Sequence, residues 1–229
     1  RHSFSAVSYS FPDTALSMSN LADMYRDIGD YENAERLYQQ SLAIRRKVLG
    51  EEHIETAESI CRIGDIAYSR GEYSRAEQFL NQGVELYRRL LGEEHSITAE
   101  QLNSLASLYH TLGDFNQAEA LYQKSLNVRR HIYGNEHALV ATSLNNIGVL
   151  YFNKHDYANA EPLLKQSLEI RQKVLGGDHA EVGNSLHNLG ATCMYTGRYA
   201  EARPLMERAL EIYRHAYQDD HTNTAASLS

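Results

Sequence analysis

A forty-two-residue period runs through this chain, and it constrains the fold more than any other property. A His recurs at His53, His95, His137, His179 and His221 with no slip in phase. Ala34, Ala76, Ala118, Ala160 and Ala202 form a second column, and Tyr31, Tyr73, Phe115, Tyr157 and Tyr199 a third, three residues before each Ala. A fourth column, Leu42, Val84, Leu126, Leu168 and Leu210, is apolar throughout. A period of roughly 20 to 50 residues marks stacked supersecondary units, none of which buries its apolar face alone. The expected fold is therefore an extended solenoid rather than a globule.

Inside each period the apolar spacing is helical. In the first, PDTALSMSNLADMYRDIG predicts a helix A with Asp13 or Thr14 as N-cap and Leu21, Met24, Tyr25 and Ile28 along one face. Gly29 closes it and recurs as Gly71, Gly113 and Gly197; His155 takes that place in the fourth period and should carry strain if its φ is positive. Helix B follows from about Tyr31 to Leu49, with Ala34, Leu37, Tyr38, Leu42 and Ile44 on one side. Pro162 and Pro204 are expected near the start of their B helices, where a missing N–H costs least. The expected organisation is an N-terminal tail at 1–10 and five repeats at about 11–52, 53–94, 95–136, 137–178 and 179–220. Residues 221–229, HTNTAASLS, match the opening of a truncated sixth repeat or a capping segment.

Several classes of function are disfavoured at this stage. The net charge is −8, and nucleic acid or an anionic membrane would require clustered Lys and Arg, so neither is expected as the main partner. Cys61 and Cys193 lie in different repeats, beyond the roughly 7 Å reach of a bridge, which fits a reducing, cytoplasmic setting. No apolar run is long enough for a membrane span. The linker His residues cannot converge on one metal, because successive repeats hold them on the order of 10 Å apart; a turn or capping role fits them. HExxH, GxSxG, a phosphate loop and CxxC are all absent from the sequence, so no enzyme, cofactor or metal is expected.

Leu144, Ile147, Gly148, Tyr151, Ala160, Leu164 and Ser167 resemble the tetratricopeptide pattern, in which a small residue of helix A faces a small residue of helix B. SLNNIGVLY, YANAEPLLKQSLEIRQKVLG and FPDTA look like the longer repeats of kinesin light chains. The linkers depart from that family's usual His-Pro-Asp at every position but the first, where Phe11 replaces the His. The resemblance implies an all-α, right-handed superhelix of antiparallel helix pairs, with the A helices lining a concave groove that binds peptides.

The rows expected to face that groove are Ser19, Cys61, Asn103, Asn145 and His187; Asp23, Asp65, Ser107, Val149 and Ala191; and Arg26, Tyr68, His110, Phe152 and Met194. Asn20, Asn103, Asn145, Asn146 and Asn188 carry amides able to donate to and accept from a peptide backbone, and the resemblance gives such asparagines that role. The same amides could instead bridge neighbouring A helices. Asp23 and Asp65 suggest an acidic early stretch, and Asn145, Val149, Phe152, Asn153, Met194 and Tyr195 a later, more apolar one that would hold an anchor. Arginines near the B-helix C-termini, among them Arg45, Arg88, Arg129 and Arg171, suit the helix dipole and could also form a basic rim. The expected partner is a protein or linear peptide bound by a non-enzymatic scaffold of cargo or adaptor type. The alternatives are a regulatory array docked on an effector domain of the same parent protein, and end-to-end self-association through uncapped ends.

Overall fold

Each short linker is fixed by the hydrogen bonds its own residues can make. In the computed structural model, which describes residues 11–227 and side chains over 13–216, the helices are α1 (Phe11–Asp27), α2 (Tyr31–Leu49), α3 (Ile54–Ser69), α4 (Tyr73–Leu91), α5 (Ser96–Leu112), α6 (Phe115–Tyr133), α7 (Ala138–Asn153), α8 (Tyr157–Leu175), α9 (Ala180–Tyr195) and α10 (Tyr199–Ser227). His53, His95, His137 and His179 sit at the N-caps of α3, α5, α7 and α9. Each Nδ1 accepts the N–H two residues on, at 3.2 Å. This is a capping use of the linker column, satisfying a donor that the first helical turn leaves open. Asp30, Asp114 and Asp156 cap α2, α6 and α8 by accepting the N–H three residues on, whereas Glu72 makes no side-chain cap at α4.

Three local features differ from the sequence expectation. Helix α1 begins at Phe11, so Asp13 lies in its first turn rather than before it. Pro162 is the sixth residue of α8, beyond the first turn, and the carbonyl it leaves without a helical donor belongs to the exposed Ala158. Helix α10 runs unbroken to Ser227, so residues 221–227 continue it without an intervening turn; residues 1–10 lie outside the described part. His155 has the anticipated positive φ, 60°, the one such non-glycine among the described residues.

The chain divides into an N-terminal half, Arg1–Gly113, and a C-terminal half, Asp114–Ser229. In the first, α1 packs on α2, α2 on α3, α3 on α4 and α4 on α5; in the second, the same succession runs from α6 to α10. The alanine column occupies the crossing of A on B: Ala34, Ala76, Ala118 and Ala160 are fully buried. At Gly148 a Cβ would lie 2.8 Å from the Leu164 side chain, so only glycine allows that approach. Tyr38, Ile60, Ile63 and Ile66 in the first half, and Leu164, Leu186, Leu189 and Ile212 in the second, are the centre of each apolar core. Burying each such side chain stabilises by about 1.5–3 kcal/mol. Leu210 is 49 % exposed, although its column mates Leu42, Val84, Leu126 and Leu168 are buried.

Polar bonds set the register of one repeat on the next. Arg45, Arg129 and Arg171 are buried at the C-terminal ends of their B helices. Each sends Nη1 to a serine of the following A helix, Ser59, Ser143 or Ser185, at 2.8 Å. The same nitrogen reaches the carbonyl of Glu55, Leu139 or Glu181 at 2.9–3.2 Å. These arginines therefore seal joints and are not available to a groove rim. A glutamate column forms a second tie: Glu77 accepts from Tyr109 at 2.8 Å, Glu119 from Tyr151 at 2.7 Å and Lys154 at 2.9 Å, and Glu161 from Arg198 at 2.6 and 3.0 Å. The Arg198 and Lys165 hydrogen bonds hold the Glu161 carboxyl down to about 2.

Arg171→Met keeps the apolar stem and deletes the guanidinium, removing its bonds to the buried Ser185 hydroxyl, the Glu181 carbonyl and the Glu181 carboxylate. It is expected to cost about 2–4 kcal/mol in urea unfolding followed by far-UV circular dichroism. His155→Gly relieves the left-handed backbone, and a gain of about 1 kcal/mol in the same assay is expected; a loss would show that the His155 ring, 3.0 Å from the Tyr157 hydroxyl, matters more than the backbone.

Candidate functional site

Arginine ties three of the joints internally, and the candidate site is sought on the exposed faces of the A helices. In the C-terminal half these are α7 and α9, which meet at a few positions. Asn188 Nδ2 donates to Asn145 Oδ1 at 3.0 Å, so these two amides bridge neighbouring A helices. Both remain only half-buried. Seven residues further along each helix, roughly 10 Å, Phe152 meets Tyr195 edge to face with centroids 5.2 Å apart. Tyr157, from the start of α8, contacts both rings, at 5.5 Å from Phe152 and 5.9 Å from Tyr195. Such tilted and offset contacts suit the ring quadrupoles. Tyr195 is still 65 % exposed and its neighbour Met194 44 %.

Of the other residues expected at the site, Val149 is half-buried against the core of the C-terminal half, as Phe152 is in part. His187 and Asn153 are exposed, while Asn103 and Asn146 are half-buried on α5 and α7. The structure thus brings Asn145, Asn188, Phe152 and Tyr195 onto one strip. Tyr157 was missed because its column is constant, as packing positions are; the column is in fact divided, with Tyr73 and Tyr199 exposed and Tyr31, Phe115 and Tyr157 half-buried.

The N-terminal half treats its acidic residues differently. Asp23 accepts from the Tyr38 hydroxyl at 2.6 Å and pairs with Arg26 at 2.8 Å, so its carboxylate is already engaged. Ser19 is buried and shares a hydrogen bond with Ser41 at 2.9 Å, and Cys61 is buried against Gly83, so the early members of that expected groove row face helix B instead. Burial pushes the Cys61 thiol well above its usual value, which makes it unreactive. The Asp65 carboxylate, in contrast, accepts no hydrogen bond among the described residues. Desolvation raises it to about 6; Arg62 and Arg26 oppose the shift, and Glu100 adds to it. Among the described residues, no group of three or more His, Cys, Asp or Glu side chains could hold a metal ion, and no helix is long and apolar enough to cross a membrane.

Paired helices in fixed register, with recurring joints and varying outer faces, define a helical-repeat protein. The tetratricopeptide repeat model matches residues 13–89, 84–131, 97–154, 139–214 and 181–229. The chain belongs to the tetratricopeptide repeat family, whose repeats generally mediate protein–protein interaction. Among solved structures it is similar to BtubC (BKLC) from P. vanneervenii, with 26 % identity, a TM-score of 0.78, and coverage of 90 % of this chain and 82 % of that one. The putative kinesin light chain nearly identical TPR-like repeats from Podosopora anserina give 25 % identity and a TM-score of 0.73, over 90 % and 97 % of the two chains. The apo form of RapI shares the fold at 19 % identity, with a TM-score of 0.75 over 91 % and 73 %. No curated protein matches the chain.

The raised Asp65 carboxyl gives a stability signature. The folded state keeps the Asp65 proton up to about 6, while the unfolded chain releases it near the ordinary aspartate value. Stability is therefore lost as pH rises through that window, and the loss is complete above it. Asp65→Asn is expected to melt higher than the parent at about pH 7.5, with the difference gone by about pH 4; an unchanged or lower melting point at the higher pH would contradict this.

Proposed function

We propose that this chain is a non-enzymatic recognition scaffold of cargo or adaptor type, which holds a linear peptide or an extended segment of a protein partner against its A-helix faces. The observation that carries the reading is the α7–α9 strip, where a half-buried amide pair lies about two helical turns from a solvent-facing aromatic cluster. Aromatic clusters of this kind are typical anchors, burying apolar area at little side-chain entropy cost. Phe152, Tyr157 and Tyr195 would take an apolar or aromatic side chain of the partner. The free valences of Asn145 and Asn188 would meet its backbone, with Asn146, Asn153, His187 and Val149 beside them. In the N-terminal half, Asn103 and Asp65 would take the corresponding place. The two free, buried cysteines suit a cytoplasmic setting for this activity.

The test is a peptide phage-display selection on the intact chain, repeated with Phe152→Ala/Tyr195→Ala. A linear motif is expected, and the double substitution should weaken it by about 1–3 kcal/mol while leaving the helical melting curve close to the parent's. An empty selection, or peptides indifferent to the double substitution, would sink the reading of this strip.

A further inference from the structure

One joint in the N-terminal half lacks the guanidinium that seals the others. Where Arg45, Arg129 and Arg171 stand, α4 has Tyr87, and where Ser59, Ser143 and Ser185 receive them, α5 has Gln101. Four residues before Tyr87, the B-helix serine seen at Ser41 and Ser167 is Gly83. Cys61 occupies the room so made, since a Cβ at Gly83 would fall 2.1 Å from its Sγ. The substitutions leave a cavity of about 300 Å³ walled by α3, α4 and α5. Gln101 Oε1 is buried and has no hydrogen-bond partner. Asp65 and Glu100 also line the cavity, and neither carboxylate is in a hydrogen bond or ion pair among the described residues. Arg62 is the cation on this wall, with its Nε 4.0 Å from Asp23. Acidic side chains, Glu58, Asp65 and Glu100, thus outnumber the basic one, Arg62, on this wall.

We propose that this cavity is a pocket for the arginine side chain of the peptide or protein partner, its guanidinium donating to Gln101 Oε1 and to the Asp65 carboxylate. The proposal rests on the recognition function above and names a chemical feature of the partner. A guanidinium suits the wall better than an ammonium does, because its planar fork presents several donors to acceptors on two different helices. The same scaffold seats that group between a B helix and the next A helix at Arg45, Arg129 and Arg171, so the spacing of the joint admits it. An arriving cation also restores the Asp65 charge that desolvation disfavours.

The experiment is an NMR titration of the intact chain with Nα-acetyl-arginine N-methylamide, followed at the Gln101 side-chain amide and the backbone amides of Asp65 and Tyr87. The citrulline analogue, equal in shape and uncharged, is the control. Saturable shifts are expected with arginine, and binding at least about tenfold weaker with citrulline. Tyr87→Arg/Gln101→Ser rebuilds the internal joint; it is expected to melt no lower than the parent and to abolish the arginine response. Asp65→Asn, expected to fold in any case, should weaken arginine binding about tenfold and decides the matter if the double variant does not fold. Equal binding of citrulline, absence of shifts at Gln101, or full binding by Asp65→Asn overturns the pocket. Peptides selected as above whose affinity survives Tyr87→Arg/Gln101→Ser retire the pocket alone, whereas an empty selection retires the recognition function itself.

Discussion

Buried guanidinium groups fix how one repeat sits on the next, and the other contacts fall into place around them. An apolar face on a helix pair can be covered in several registers, because hydrophobic burial has no direction of its own. A guanidinium that must reach both a serine hydroxyl and a backbone carbonyl has one. Arg45, Arg129 and Arg171 each do this with the same nitrogen and the same sequence offsets. A mispaired register would strand a charge away from water, at a cost of several kcal/mol. The glutamate column ties the opposite ends of the B helices to the next repeat, so two separate polar contacts agree on one arrangement.

Much of this architecture is legible in the chain because a repeat compares the sequence with itself. The linker histidines could be assigned to caps because ligand convergence was geometrically excluded. The positive φ of His155 followed from the glycines at its place in other repeats. The joint arginines could be read as mostly structural but not told from a basic rim, for a physical reason: a basic residue at a helix C-terminus is favoured by the dipole whether it faces water or a neighbour, and position along the helix does not distinguish the two. Their match to Ser59, Ser143 and Ser185, always fourteen residues later, was the signal that could have found them.

The candidate site was less legible, since what a partner meets is what the packing leaves over. Asp23 and Asp65 look alike in sequence, one repeat apart. Asp23 is taken up by Tyr38 and Arg26, while the second repeat has Leu80 in the place of Tyr38 and leaves Asp65 without that hydroxyl. The amide row likewise divides: Asn188 spends one donor on Asn145, which holds two A helices together and presents the remaining polar valences in a fixed orientation. Bridging and recognition are compatible in one side chain, because an amide has more bonds to make than a single neighbour can satisfy.

The replacement of arginine by Tyr87 also bears on how the chain comes apart. A linear array of repeats behaves as a row of nearest-neighbour couplings, and its cooperativity is limited by the weakest of them. The α4–α5 joint keeps its apolar contacts and the Glu77–Tyr109 bond but has lost the charged bond found at the others. Within the N-terminal half it is the joint at which local opening would cost least. Anything that fills the gap beside Tyr87 would also strengthen the coupling across it.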